Sequence, residues 1–483
     1  MIQFLSISRV LGVLLIIFGL MMATSIGFSL YFNSGDILPI LQASGITVSS
    51  GLLMFFIGLQ RKVHIGKREG YLIVALGWLF MTFFGMLPFI ISGVIPGITN
   101  AFFETISGLT TTGASILDDI EAVPKGILFW RSLTQWIGGM GIIVLTVALL
   151  PLLGIGGIEL FVAEVPGPTS DKIHPRIVET ARSLWLVYVI LTGACTGLLM
   201  IAGMSFYDAI NHAFTTMATG GFSTKNASIA YYTSPLIQYI LIFFMFLAGT
   251  NYNLLYFGIR GKLRTMWRSD EFKVYSLFIV GVSIILAAFV FFIVHEPVEK
   301  VFRDVLFQVV SIITTTGFVT ADYTQWSVAI TMFFFILMFL GGSAGSTSGG
   351  IKFIRHIVFL KNSFLEFKRL LHPRALIRVK IDHQIVAPRV LTHILVFLLI
   401  YLLVFLSGSV VVAFLGMDFI SAIGAVATCL ANVGPGIGTV GPVNNFAAVP
   451  DAAKWFLSFL MLLGRLELFT ILLLFTPYFW KSN

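Results

Sequence analysis

The 483-residue chain reads as an all-α integral membrane protein built from four pseudo-repeats. Each repeat is a helix, a re-entrant half-helix, a Gly-centred loop and a second helix, and two further helices stand in front. Three observations predict this class. Hydrophobic residues make up 57% of the chain and charged residues 11%, against about 25% charged in a soluble domain, and mean hydropathy is +0.97. Long apolar runs follow one another closely enough to leave no room for a large soluble domain. One short pattern then occurs four times: Thr110-Thr111-Thr112-Gly113-Ala114, Met217-Ala218-Thr219-Gly220-Gly221, Thr314-Thr315-Thr316-Gly317-Phe318 and Ala431-Asn432-Val433-Gly434-Pro435.

A membrane span needs about 20 apolar residues. Ten stretches meet this: 9–32, 37–60, 69–94, 126–153, 181–205, 233–259, 273–294, 326–360, 388–415 and 451–477. Two of them fall in residues 1–65, the additional N-terminal pair. The others divide into repeat 1 (66–165), repeat 2 (175–268), repeat 3 (270–380) and repeat 4 (385–483). The first apolar run, Val10 to Phe32, is too long for the core of a cleavable leader, and no small-residue cleavage site stands out.

Four shorter apolar stretches, near 100–111, 208–218, 304–315 and 418–432, cannot span, and each ends at a Gly loop. They fit re-entrant half-helices, because irregular backbone at membrane depth survives only where protein buries it or water lines it. Asn100, Asp208, Asp304 and Asp418 precede the glycines by 13, 12, 13 and 16 positions, and Asn and Asp are good N-caps. The C-terminal ends of these helices, partially negative, then meet at the loops. A second landmark follows each loop: Trp136-Ile137-Gly138-Gly139, Phe246-Leu247-Ala248-Gly249, Phe339-Leu340-Gly341-Gly342 and Leu462-Leu463-Gly464-Arg465. Repetition at this period speaks for duplicated membrane units.

A net charge of +8 raises the question of nucleic acid, and the charge distribution answers it. With the N-terminus inside, all but seven of the 30 Lys and Arg fall on the cytoplasmic side, as the positive-inside rule requires. Lys125, Arg131, Lys225, Lys300, Arg303 and Lys454 lie outside and Arg465 within the membrane. Both termini are then cytoplasmic and the Gly loops sit near the external face. Asp36, Asp118, Asp119, Glu121, Glu296, Glu299 and Asp322 become external, either as solvated loop residues or as a field that concentrates cations. Cys195 and Cys429 lie in apolar stretches without zinc spacing and read as small buried residues. His212 reads as a packed histidine, Asn251 and Asn253 as cavity-lining or interhelical, and Asn226-Ala227-Ser228 as a chance sequon. There is no carboxylate pair, nucleophile triad or metal-ligand cluster to support an enzyme.

Four Gly-centred loops at the ends of short helices suggest a ring of backbone carbonyls that replaces the water shell of a dehydrated cation, around one pore. Gly lets the backbone turn its carbonyl inward, and Thr adds a hydroxyl. The candidate filter residues are Thr111, Thr112, Gly113, Ala218, Thr219, Gly220, Thr315, Thr316, Gly317, Asn432, Val433 and Gly434. Ala218 stands against Thr111 and Thr315, and the fourth loop lacks Thr, so the ring is pseudo-symmetric and its discrimination weaker than that of a symmetric tetramer.

Ten small residues, Gly341, Gly342, Ser343, Ala344, Gly345, Ser346, Thr347, Ser348, Gly349 and Gly350, interrupt an apolar run that resumes before Lys352. Each Gly costs a helix about 1 kcal/mol relative to Ala. The stretch reads as a flexible intramembrane gate below the filter; close helix packing through small residues is the alternative. A phosphate-binding loop fails, because no Gly-Lys-Ser/Thr follows. Arg465, inside the last span, costs about 2.5–3.5 kcal/mol on insertion scales. Glu467 two residues on faces another side of a helix. Arg465 is therefore expected to touch the glycine-rich stretch and oppose cation passage, with a structural ion pair as the alternative.

The TTTGA, TGGFST, TTTGF and NVGPG loops, with GGSAGSTSGGIK and LLGRLELFT, resemble the Trk/Ktr/HKT superfamily of potassium transporters over essentially the whole chain. The two additional N-terminal helices make it most similar to the bacterial TrkH type. The resemblance implies a homodimer in the lipid of the bacterial inner membrane, with one pore per protomer. It implies potassium as the transported ion, limited selectivity over sodium, no organic cofactor and no nucleic acid. It also implies gate control by a cytosolic TrkA-type nucleotide-binding subunit. Carried over by motif, Gly113, Gly220, Gly317 and Gly434 are the filter glycines, Gly341–Gly350 with Lys352 the gate, and Arg465 lies beneath the filter. Gly113 stands where sodium-preferring plant relatives carry Ser, which points to potassium. The basic segment Lys352 to Lys380 either meets the regulatory subunit or is a positive-inside loop. A gated pore is thus expected. Sodium- or proton-coupled transport is the alternative, less favoured because Glu467 is read as the sole intramembrane acid; a scaffold would leave the four loops unexplained.

Overall fold

Backbone groups in an apolar run have no partner but one another, so such runs become helices. The computed structural model describes residues 3–59, 66–141 and 177–481. Six of its helices are long and apolar enough to cross a bilayer: Phe4–Phe32, Ile37–Gly58, Arg68–Ile91, Ala181–Ile201, Asp270–Val294 and Pro388–Phe414. The strands described, Lys380–Ile381 and Gln384–Ile385, make one small antiparallel hairpin.

The N-terminal pair packs backbone to backbone. A Cβ on Gly12 would lie 2.5 Å from the Phe55 nitrogen, one on Gly51 2.8 Å from the Gly12 carbonyl oxygen, and one on Gly58 2.7 Å from the Arg9 nitrogen. Small residues allow this approach, in which dispersion takes the place of the hydrophobic drive that lipid cannot supply. Asp36, expected in solvent, is buried at the turn between the two helices. Its carboxylate accepts from the Ser29 and Ser34 hydroxyls and from the Ile127 N–H at 2.7 Å. It therefore ties the hairpin to the helix Lys125–Trp136.

The four half-helices are Ile98–Leu109, Phe206–Met217, Val298–Ile313 and Phe419–Ala431. Their starts correct the expected caps. Asp418 does cap, accepting from the Ser421 N–H at 3.1 Å. Asn100 and Asp208 lie inside the first turn and Asp304 in the second. The second half-helix is capped instead by Ser205, which accepts from the Asp208 N–H at 3.1 Å and donates to the Asp208 carboxylate at 3.0 Å. The third starts earlier, directly after Pro297, because a proline before the first turn removes an N–H that would have no partner there.

Several expected single spans prove to be broken. The stretch 233–259 is two helices, Pro235–Ala248 and Tyr252–Ile259, bent by 113°, and 451–477 is Asp451–Arg465 and Phe469–Phe475, bent by 110°. The stretch 326–360 is Val328–Leu337, a non-helical segment and then Phe353–Leu371. The helix Lys125–Trp136 passes into a π-turn at Ile137–Gly141; residues 142–153 of that expected span, and 142–165 of the expected first repeat, lie outside the described residues. Every break falls at the second landmark. There Gly138 abuts the Leu109 carbonyl, Gly249 the Thr314 side chain and Gly464 the Leu430 carbonyl, with no room for a Cβ. The helices stop running straight where the half-helix ends press against them.

Gly12→Leu should push the N-terminal helices apart and cost about 1–3 kcal/mol, the usual range for overpacking. Gly27→Leu, with nothing within 4 Å of its Cβ position, is the control. Thermal unfolding of the purified protein in detergent checks this, and equal midpoints for the two variants would refute close backbone packing of the pair.

Candidate functional site

Each half-helix ends in the same backbone turn. Thr111, Thr219, Thr315 and Asn432 adopt φ of 55°, 54°, 57° and 54°. Left-handed backbone costs a non-Gly residue roughly 1–2 kcal/mol, so four instances at equivalent places mark a conformation that the surroundings impose. The next N–H returns to the helix: Thr112 to Ser107 O at 2.9 Å, Gly220 to Thr215 O at 2.8 Å, Thr316 to Ser311 O at 2.8 Å and Val433 to Thr428 O at 3.0 Å. Then comes a glycine of positive φ: Gly113, Gly221, Gly317 and Gly434, at 82°, 75°, 81° and 101°.

This register corrects the second loop by one residue. Gly221, not Gly220, is the counterpart of Gly113, Gly317 and Gly434; Gly220 corresponds to Thr112, Thr316 and Val433. Ala218 stands against Thr110 and Thr314 rather than Thr111 and Thr315. Two adjacent glycines satisfy a one-glycine pattern equally well, and only the backbone angles separate them.

The four loops close on one another. A Cβ on Gly113 would run into the carbonyl oxygen of Gly220, one on Gly221 into that of Thr316 and one on Gly317 into that of Val433. A Cβ on Gly434 would lie 2.8 Å from the carbonyl oxygen of Thr112. The contacts run from the first loop to the second, third and fourth and back to the first, each time through the equivalent carbonyl. Asn432 Nδ2 also donates to Thr112 Oγ1 at 2.9 Å, across the last junction. Thr111, Thr219, Thr315 and Asn432 are fully buried, and no donor among the described residues reaches their carbonyls. Buried carbonyls are ordinarily paired. A ring of unpaired ones at four helix C-termini is suited to a bare cation. Among the described residues, no three His, Cys, Asp or Glu side chains cluster as chelating ligands.

The segment Gly341–Gly350 is non-helical and packs against the ends of three half-helices. Ser343 N–H donates to Gly249 O at 2.8 Å and Gly349 N–H to Thr315 Oγ1 at 2.7 Å. The Thr347 hydroxyl donates to Met217 O at 3.0 Å, and a Cβ on Gly349 would lie 2.6 Å from Ala431 O. Ser346 Oγ donates to Ser343 O at 2.6 Å and Gly342 N–H to Ser348 Oγ at 3.1 Å, within the segment itself. Gly341 N–H donates to Ile351 O at 2.9 Å, while Gly345 and Gly350 take φ of 71° and 65°. The buried Lys352 ammonium donates to the carbonyls of Ser346, at 3.4 Å, and Ser348.

Arg465 lies at the bend that ends Asp451–Arg465. Its guanidinium donates to Thr347 O at 2.7 Å, Gly138 O at 2.6 Å and Gly139 O at 2.7 Å. It thus touches the glycine-rich segment as the sequence suggests, while Glu467 pairs with Arg355.

Some of the surrounding groups differ from expectation. Glu104 and Arg131 are buried and joined at 2.7 Å, so Arg131 is not a solvent-facing charge. Glu104 also accepts from Ser115 Oγ at 3.0 Å and the Ile116 N–H at 2.8 Å. Arg131 donates to Ser223 O at 3.1 Å and lies 3.5 Å from the centre of the Phe222 ring. Lys454 is likewise buried, donating to Asn100 Oδ1 at 2.8 Å. Glu271 accepts from the Ala344 N–H at 2.8 Å. Glu104 and Glu271 are thus buried acids in addition to Glu467, which is only partly buried. Glu104 is a lone acid in the otherwise apolar stretch 98–109, which is the signal that marks it in the sequence. His212 is packed between Asp208 O at 2.8 Å and Ser223 Oγ at 2.9 Å. Asn251 caps the helix that follows it, and Asn226 bridges to Asp119 at 3.0 Å.

Comparison with known proteins places these features in a family. A model of the TrkH family, described as "Cation transport protein", matches residues 40–482. The chain is 41% identical to the Trk system potassium uptake protein TrkH of Salmonella typhimurium over 99% of its own length and 100% of that protein's. It is 34% identical to the Trk system potassium uptake protein TrkG of Escherichia coli, over 94% and 97%. The crystal structure of the potassium transporter TrkH from Vibrio parahaemolyticus superposes with a TM-score of 0.89 at 37% identity, covering 99% of this chain and 100% of that one.

Gly221→Ala should cost about 1–3 kcal/mol in backbone strain alone, as Gly113→Ala and Gly317→Ala should; a thermal midpoint equal to wild type for Gly221→Ala would return the register to Gly220. Glu104→Ala strands a buried guanidinium and should cost about 3–5 kcal/mol. Most of that should return when Arg131 is also replaced by Leu. Denaturation of purified variants tests the pair, and an unshifted Glu104→Ala would show that it contributes nothing.

Proposed function

This chain belongs to the TrkH cation transport protein family, transporters rather than enzymes, and from that premise we propose that it takes up potassium through a gated pore lined by its own loop carbonyls. The closed ring of equivalent carbonyls carries this reading. In the register set by the backbone, the filter residues are Thr111, Thr112, Gly113, Thr219, Gly220, Gly221, Thr315, Thr316, Gly317, Asn432, Val433 and Gly434. Carbonyls held in a ring supply the ligands that a potassium ion gives up when it leaves water, and the half-helix C-termini add to the negative potential.

The gate is the segment Gly341–Gly350 with Lys352 and Arg465. Its contacts with the ends of half-helices two, three and four support this role, because a segment so placed obstructs passage from the filter until it moves. Arg465, bonded to Thr347 O, contributes a positive charge against the cation while the gate is closed. On this reading the chain folds as residues 1–65 and repeats 66–165, 175–268, 270–380 and 385–483. It works as a homodimer in the inner membrane with both termini in the cytoplasm, under a cytosolic TrkA-type nucleotide-binding subunit. The naming of its relatives as parts of a Trk system supports such a partner. One observation favours proton coupling as a second reading: Glu271 is buried against the gate segment.

Purified protein in liposomes with an outward potassium gradient should accumulate radiolabelled rubidium without sodium or a proton gradient, and Gly113→Ala should reduce that uptake at least tenfold. Uptake that needs sodium, or that a proton ionophore abolishes, would replace the pore by a coupled transporter. No uptake even with the cytosolic subunit present would sink both readings. Arg465→Ala should raise flux about tenfold, corresponding to a barrier lowered by about 1.4 kcal/mol; unchanged flux in a folded, monodisperse variant would remove Arg465 from the gate.

A further inference from the structure

Loop two differs from the others at one position. Where loops one, three and four carry Thr112, Thr316 and Val433, it carries Gly220. In loops one and three that Thr hydroxyl pairs with a neighbouring one, Thr110 to Thr112 and Thr314 to Thr316, each at 2.8 Å. Ala218 and Gly220 cannot form this pair, and the Gly220-Gly221 backbone has the most freedom to lose of any two residues.

The space of the missing side chain is occupied. A Cβ on Gly220 would collide with the side chain of Gln135, which is fully buried. Gln135 Nε2 donates to Gly220 O at 2.6 Å, and its Oε1 accepts from the Phe222 N–H at 3.0 Å. The two bonds clasp the loop on either side of Gly221. Arg131, one helical turn earlier, extends the clasp to Ser223 O and the Phe222 ring.

No other repeat has this device. Gln135 precedes the landmark Trp136-Ile137-Gly138-Gly139; the residues that precede the other three are Met245, Met338 and Met461, all fully buried. The position of Arg131 is likewise Leu241, Phe334 and Leu457. Methionine has no donor. A polar pair therefore appears in one quadrant only, against the one loop that lacks a side chain.

We propose that Gln135 is a specificity-determining positioning residue, standing in for the missing loop side chain and holding the Gly220 carbonyl in the ring. The carbonyl is then shared between an amide and the cation, which makes loop two the weaker quadrant. Discrimination between potassium and sodium depends on carbonyl placement and field, so it depends on this bond. The inference rests on the pore reading above.

The test compares Gln135→Met, Gln135→Glu, Gly220→Thr and the double variant Gln135→Met/Gly220→Thr with wild type in liposomes. Gln135→Glu is nearly isosteric and still accepts from Phe222 but cannot donate to Gly220. Both single Gln135 variants should lower the potassium-to-sodium ratio about fivefold. Gly220→Thr alone should lose uptake by colliding with Gln135, and the double variant should recover it. A wild-type ratio in both Gln135 variants, or no recovery in the double variant, would overturn the proposal. Amide hydrogen exchange over residues 218–224 of purified protein is independent of transport. It should quicken in Gln135→Met, and unchanged exchange would overturn the clasp whatever the flux. A wild-type protein that passes no ions would count against the pore reading instead, leaving the exchange result to decide the clasp.

Discussion

Four loops meet where there is no room for a Cβ, and the rest of the structure follows from that constraint. Gly113, Gly221, Gly317 and Gly434 each lie against a carbonyl of the next loop, so the ring can be no wider than backbone contact allows. Such an approach requires residues without side chains, in a backbone region that side chains avoid. It also requires four chain segments, far apart in sequence, to arrive at the same depth with the same twist. The half-helices do this. Each ends in one left-handed residue followed by a return bond to its last turn, so each delivers its carbonyls in the same orientation.

A ring of that kind has to be held from behind, and the holding is done by small residues and buried polar groups. Gly138, Gly249 and Gly464 let the following helices press directly on half-helix ends, and those helices break or bend there. Glu104, Arg131 and Gln135 join the first two loops through bonds that water cannot contest. A buried ion pair is weak as a source of net stability, because desolvation offsets the attraction, but losing one partner is costly. Its effect is to specify one arrangement of two loops. The segment Gly341–Gly350 sits on this frame rather than within it. Most of it is buried, and it is held by hydrogen bonds from backbone and side chains.

Apolar periodicity, the placement of glycines and the side of the membrane chosen by Lys and Arg are local or cumulative properties. They were sufficient for an all-helical membrane protein, four repeats, short re-entrant helices and a glycine-rich break before Lys352. The contact of Arg465 with that segment was also legible, since a lone charge in an apolar run must find oxygen. Which of Gly220 and Gly221 turns the loop was not, because it depends on a backbone angle imposed by the neighbouring loops. Nor were the bends at Gly249 and Arg465 legible, because an apolar run reads the same whether it is straight or folded back. Arg131, Lys454 and Asp36 looked like surface charges from composition alone. Only the tertiary structure decided that they are buried, because burial is set by what packs over a residue and the covering segments lie far away in the chain. The sequence determined that there would be four glycine loops; three-dimensional packing decided which carbonyl each glycine faces, because that contact joins different repeats.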